Sequence, residues 1–224
     1  MFNMEDRVLL VNKPLTWTSF DVVRKIRYKL KIKKVGHAGT LDPLATGLLI
    51  VCTGKFTKRI EEYQAQEKEY TGRFIIGQTT LSNDLETEVS EPVDISKITT
   101  EQIYEATKNF IGVIDQVPPM HSAIKVEGKR AYELARKGQD AELKPRQVTI
   151  TAFEITAIEL PSVSFRIVCS KGTYIRSLAR DFGQALGVGA YLAELCRTRI
   201  GQFRLEDAVQ IEDIEAPKNP GQPA

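Results

Sequence analysis

The chain has 224 residues, 42% apolar and 27% charged, with a net charge of +2, enough for a sizeable core and too apolar for a disordered polymer. No apolar run is long enough to span a bilayer, and the N-terminus MFNMEDRVLLVNKP lacks the apolar core of a signal peptide. Three isolated cysteines, Cys52, Cys169 and Cys196, form no CxxC pair and speak against a disulfide framework, so a reducing cytoplasm is expected.

Val8 to Val11 reads as a short buried strand. Thr18-Ser19-Phe20-Asp21 has capping-box form, and Phe20, Val23, Ile26 and Leu30 recur at helical spacing toward Gly36. Leu48 to Cys52 predicts a central strand, and Tyr70 to Ile76 alternates as a second, with Tyr70, Phe74 and Ile76 on one side. Leu81 to Ser96 is polar and acidic, a surface loop. Thr99 to Phe110 returns to helical period behind a Thr99…Gln102 capping box. After Pro118-Pro119, a basic, glycine-punctuated stretch to about Arg146 predicts an excursion from the core. Strands follow at Val148 to Leu160 and Val163 to Cys169. A helix from Thr173 to Leu186 turns Ile175, Leu178, Phe182 and Leu186 inward, with Arg176 and Arg180 facing away. A helix near Ala190 to Arg197, a strand near Ile200 to Leu205 and a short terminal helix complete the order. The expected organisation is one domain over 1–216, with an insertion at about 118–146 and a disordered tail at 217–224. Strands and helices mix without a regular βαβ repeat, which predicts an α+β fold around a mixed sheet.

Charge is segregated. Arg24, Lys25, Arg27, Lys29, Lys31, Lys33 and Lys34 fall in a stretch from Val22 to Leu41 with no acid, while acids gather from Asp84 to Asp94 and from Glu206 to Glu215. Such a pattern builds a basic face suited to phosphates, or simply a solvated helix face.

The segment Gly36-His37-Ala38-Gly39-Thr40-Leu41-Asp42-Pro43-Leu44-Ala45-Thr46-Gly47 carries three glycines, a histidine and an aspartate between the basic helix and a buried strand. A purely structural reading makes Asp42 a helix N-cap with Pro43 at the first helical position. Two chemistries fail on the letters. A P-loop needs a glycine where Leu49 stands and Ser or Thr where Phe56 stands. A zinc deaminase needs clustered His and Cys, but only His37, His121 and the three isolated cysteines are present.

GHAGTLDPLATGLL resembles the signature of TruB-type pseudouridine synthases. Further motifs agree in order: Lys13-Pro14 with Trp17-Thr18-Ser19, Lys68-Glu69-Tyr70, PPMHSAIKVEGKRAYELARKG from Pro118, and CSKGTYIRSLARDFG from Cys169. The resemblance implies a pseudouridine synthase fold, a mostly antiparallel sheet flanked by helices with a catalytic cleft and a basic RNA-gripping insertion. It implies isomerisation of uridine to pseudouridine in the T-loop of tRNA, by a monomer, without cofactor or metal. Asp42 takes the place of the catalytic carboxylate, Arg176 of its arginine partner, and Tyr70 of the tyrosine that stacks on the base. His37, Tyr174 and Leu195 match substrate positions, and Lys13, Lys125, Lys129, Arg130 and Lys171 match RNA-backbone contacts; Arg136 and Lys137 belong to the same basic insertion.

The chain departs from the family pattern at Thr16, where glycine is usual, so a different local backbone is expected. It departs again around Thr80 to Thr87, which leaves Asp84 a weak candidate for RNA contact. A C-terminal RNA-binding PUA domain, common in relatives, is not expected here. Two other readings stay open: the catalytic subunit of a guide-RNA particle, and a non-catalytic tRNA-binding or folding module.

Overall fold

The computed structural model describes residues 6–120, 122, 125–126, 129–131 and 143–215. It divides into two compact units, one formed by Met1–Tyr70 with Cys196–Ala224 and the other by Thr71–Leu195.

In the first unit, β1 (Val8–Lys13) and β2 (Val35–Ala38) each pair antiparallel with β3 (Ala45–Thr53). Every residue of β3 but Thr46 is buried, as the continuous apolar run predicts. Helix α1 (Ser19–Leu30) starts on a complete capping box. Thr18 Oγ1 accepts from the Asp21 N–H at 3.0 Å, and Asp21 accepts in return from the Thr18 N–H at 3.0 Å. Lys31, with φ 55°, ends the helix in left-handed conformation. The buried stripe is Ser19, Val22, Val23, Ile26 and Leu30. Phe20, expected inside, is 57% exposed, because the stripe begins one residue earlier, at Ser19. The stripe packs with Val11, Leu49, Val51, Ile211 and Ile214 in one core cluster. A second cluster joins Leu48, Ile50, Cys52, Tyr63 and Ile200 and includes Tyr63 from the short α2 (Ile60–Ala65).

The second unit contains most of β4 (Lys68–Ile76), α3 (Thr100–Lys108), β5 (Gly112–Gln116), the small pair β6 (Lys125–Val126) and β7 (Lys129–Arg130), β8 (Arg146–Glu159), β9 (Ser162–Cys169) and α4 (Ile175–Ala185). Here β4, β9, β8 and β5 lie side by side in that order, with β9/β8 and β8/β5 antiparallel. Phe74, Phe153, Phe165 and Phe182 form its aromatic core, with Phe74 and Phe165 ring centroids 4.2 Å apart.

Three expected elements differ. Residues 190–197 are strand, not helix: they belong to β10 (Ala190–Ile200), where ladder hydrogen bonds override helical propensity. The strand expected to run from Ile200 to Leu205 is instead the end of β10 plus the short β11 (Phe203–Arg204), which folds back on it. The expected terminal helix is a single 3₁₀ turn, Leu205–Asp207. Most of the insertion and the tail lie outside the described residues, as do the side chains of Lys125, Lys129, Arg130, Arg136 and Lys137. No described helix is long and apolar enough to cross a membrane.

Candidate active site

Asp42 sits in the link between β2 and β3, half-buried, in a tight turn closed by the Ala45 N–H donating to the Asp42 carbonyl at 3.0 Å. No helix follows it, so the helix-capping reading of Asp42-Pro43 is set aside. Three neighbouring side chains, all buried, hold this link from different sides.

The first is Ser19, at the start of α1. Its hydroxyl accepts from the Leu41 N–H at 2.8 Å and donates to the Leu41 carbonyl at 3.2 Å. Arg197, on β10, is the second. It is 1% exposed and donates to the carbonyls of Leu48 at 2.8 Å, Gly39 at 3.2 Å and Thr40 at 3.5 Å. Its five N–H donors in a rigid fork suit three carbonyls spread over two strands' worth of chain. Gly47, with φ 100°, accepts the same strand: a β-carbon there would stand 2.4 Å from the Arg197 carbonyl oxygen.

Lys13 is the third, and it corrects an expectation. Assigned to the RNA backbone, it is instead 0% exposed, its ammonium donating to the carbonyls of Trp17 at 2.5 Å, Pro14 at 2.9 Å and Pro43 at 3.4 Å. All three N–H donors are committed inside the protein, which leaves none to face a phosphate. Burial pushes the ammonium down to about 8, the charge of Asp42 raises it, and Arg197 lowers it. Asp42 therefore stands in the electrostatic field of a buried lysine. Thr16 adds a backbone tie, its N–H donating to the Pro43 carbonyl at 2.8 Å. Its φ is 70°, so the left-handed conformation that a glycine would favour is kept by a β-branched residue.

His37 lies on β2, half-buried. Burial holds its imidazole below the ordinary range, with a Gly39 backbone hydrogen bond acting the other way and Arg197 reinforcing the lowering. Tyr70 is a buried residue of β4 at the end of the first unit's main segment.

In the second unit, Arg176 is buried, 4% exposed, and not turned outward as its charge suggests. Its partner within that unit is Asp84. The Arg176 Nε and an Asp84 oxygen are 3.5 Å apart, and Arg176 also donates to the Ser82 carbonyl at 3.4 Å. Asp84, 5% exposed, is accordingly an internal carboxylate rather than an RNA contact. Its loop is knit from within: the Asp84 carbonyl accepts from the Thr80 and Ser82 hydroxyls at 2.7 and 3.0 Å, and its carboxylate from the Glu86 N–H at 2.9 Å. Tyr174 is the half-buried N-cap of α4, Leu195 is half-buried on β10, and Lys171 is exposed on the turn before α4. Among the described residues, no three His, Cys, Asp or Glu side chains cluster to hold a metal ion.

Sequence reasoning missed Ser19 and Arg197 as supports of the Asp42 link and Asp84 as the partner of Arg176. Ser19 was visible only as a capping-box neighbour, and Arg197 fell in a segment read as helix.

The link geometry and the order of motifs meet in one comparison. The model of the TruB family pseudouridylate synthase N-terminal domain matches residues 27–175. The chain belongs to the TruB family. A second model, the tRNA pseudouridylate synthase B C-terminal domain, matches residues 176–219 of this TruB-family protein. It is 56% identical to the tRNA pseudouridine synthase B of Parabacteroides distasonis, over 93% of this chain and 91% of that one. Identity to the tRNA pseudouridine synthase B of Flavobacterium johnsoniae is 54%, over 95% and 96%. Among solved structures, this TruB-family chain is similar to a chain of a Cbf5-Nop10-Gar1 complex, with 32% identity and a TM-score of 0.74. The match covers 94% of this chain and 54% of that one, so this protein spans about half the solved chain's length. The α+β expectation and the pseudouridine synthase fold are borne out.

Proposed function

We propose that this protein isomerises uridine to pseudouridine in tRNA, at the T-loop, with Asp42 as the nucleophile. The observation that carries this reading is the placement of Asp42: a half-buried carboxylate on a link held by Ser19, Arg197 and Lys13, at the position that the TruB signature gives to the essential aspartate. A carboxylate fixed in this way serves as a nucleophile without metal or redox help.

The reaction balances within the substrate. The bond from N1 to the sugar C1′ breaks, the base turns over, and C5 bonds to C1′. The proton on C5 leaves and N1 gains one, so the product is an isomer. Asp42 adds to the sugar or to the base in the covalent step, and Tyr70 is assigned to stacking on the base and to helping remove the C5 proton. His37, Tyr174 and Leu195 are assigned as substrate residues, and Arg176 as a catalytic residue, by the family resemblance. His37, held below its ordinary pKa, is a neutral imidazole at pH 7. Extrusion of the uridine costs a few kcal/mol of stacking, which apolar and aromatic contacts offset. Lys171, exposed on its turn, and Lys125, Lys129 and Arg130 of the insertion are assigned to phosphates of the T arm. Residues 1–216 form the catalytic region in this reading, acting as a monomer in the cytoplasm.

A guide-RNA particle is the second reading, favoured by the likeness to a Cbf5 chain. The tRNA reading is preferred because relatives named for tRNA are 54–56% identical over nine-tenths of both chains. Incubation of the purified protein with unmodified tRNA separates the two: pseudouridine in the T-loop is expected with no guide RNA added. Asp42→Asn should abolish the product and leave tRNA affinity within about threefold. Undiminished activity of that variant would overturn the assignment of Asp42.

A further inference from the structure

The first turn of α4 carries Arg176 and begins at Tyr174, yet the sequence offers it no ordinary cap. Tyr174 has no side-chain capping bond and the first turn has no acid. The missing partner comes from a strand 58 residues away in sequence. Gln116, the last residue of β5, is 1% exposed, on the inward face where alternation along the strand calls for an apolar side chain. Its Oε1 accepts from the Tyr174 N–H at 2.8 Å, and its Nε2 donates to the Tyr174 carbonyl at 3.1 Å. Only one orientation of the amide satisfies both groups, since the N–H must meet oxygen and the carbonyl must meet NH₂. In a capping box, a side chain three residues into the helix accepts from the N-cap N–H. Here a distant strand supplies that acceptor and adds a donor to the N-cap carbonyl, which also accepts the first helical bond from the Leu178 N–H at 3.1 Å. The adjoining Val117 carbonyl accepts from Ser177 Oγ at 2.8 Å and Arg180 at 3.1 Å, so the strand end meets α4 at four hydrogen bonds.

We propose that Gln116 is a positioning residue for the isomerisation: by gripping both backbone polar groups of Tyr174 it sets the orientation of the Tyr174 ring and of the turn that carries Arg176. This rests on the reading that Tyr174 and Arg176 serve the uridine. A buried Gln that served packing alone would be replaceable by an apolar residue of its size. One that positions the turn requires a donor and an acceptor at fixed places.

Gln116→Glu separates these roles. As a carboxylate it still accepts from the Tyr174 N–H but opposes the Tyr174 carbonyl; as a carboxylic acid it reproduces both bonds. Burial favours the protonated form, bringing its titration toward neutral pH. The experiment measures single-turnover pseudouridine formation on unmodified tRNA transcript at saturating enzyme, with tRNA affinity, from pH 5.5 to 8.5, for wild type, Gln116→Glu and Gln116→Leu. At pH 8 the Glu variant should be slower than wild type by tenfold or more, with tRNA affinity within twofold, and its rate relative to wild type should climb as the pH falls. Gln116→Leu should be slow at every pH. Should the Leu variant fail to fold, the recovery of the Glu variant at low pH decides alone. Wild-type rates in Gln116→Glu throughout, or a deficit that tracks lost tRNA affinity and ignores pH, would overturn the proposal. A wild-type protein that makes no pseudouridine overturns the functional reading instead.

Discussion

Ser19 and Leu41 exchange two hydrogen bonds, the Leu41 N–H to Ser19 Oγ at 2.8 Å and the Ser19 hydroxyl to the Leu41 carbonyl at 3.2 Å. The residue before Asp42 is thereby fastened to the first turn of α1, and both partners are buried. Ser19→Ala strands a buried N–H, which costs about 1–3 kcal/mol. For a chain of this size each kcal/mol lowers Tm by about 2–4 °C. A calorimetric Tm equal to wild type would show that the link does not depend on this tie.

Thr16 holds φ 70° while its N–H is bonded to the Pro43 carbonyl. A β-branched residue in left-handed backbone carries strain of about 1–2 kcal/mol that glycine does not. Thr16→Gly is therefore expected to stabilise the protein by about 1 kcal/mol in urea unfolding, less a few tenths for the added freedom of the unfolded chain. Destabilisation would mean that the Thr16 side chain contributes more than its backbone costs.

Lys13 gives opposite pH trends for stability and activity. Its pKa is about 8 in the folded protein against 10.5 for an ordinary lysine. Below pH 8 the group is protonated in both states and folding bears the whole cost of burying the charge. Above pH 8 the unfolded chain binds more protons than the folded one, so this contribution to stability rises with pH, by about 1 kcal/mol between pH 8 and 9. The window stops there because Cys52 acts in reverse: burial pushes its thiol up to about 11 from 9.0, so its contribution falls as pH rises above 9. Loss of the Lys13 charge removes the cation beside Asp42, and the rate of pseudouridine formation should decline over the same interval. Urea titrations and single-turnover rates at pH 7, 8 and 9 test both signs; parallel trends would refute the coupling.

Asp84 and Arg176 form an ion pair with both side chains nearly sealed from solvent, at 3.5 Å. Removing one member of such a pair leaves a buried charge and costs about 3 kcal/mol or more. Asp84→Asn is expected to lose stability on that scale, while Glu105→Gln, on an exposed pair with Lys108, should change it by less than about 0.5 kcal/mol. Equal effects of the two substitutions would remove the case for Asp84 as the support of Arg176.

Periodicity and motif order were enough to locate α1, β3, β4, α3, β8, β9 and α4 within a few residues, because each has a face whose burial its own spacing dictates. They were also enough to single out Asp42 and its family. What the letters do not contain is which polar side chains turn inward. Arg176 on a helix and Lys13 on a strand have the spacing of exposed charges, and what offsets their burial is Asp84 for the one and, for the other, the nearby Pro14 and Trp17 carbonyls closed over by the distant Pro43 carbonyl. Residues 190–197 carry a helix-like pattern and become strand because strand pairing supplies ladder hydrogen bonds that local propensity does not encode. Local free energies of a few tenths of a kcal/mol per residue are written in the sequence order; hydrogen bonds such as those of Gln116 to Tyr174 exist only once the chain has folded back on itself.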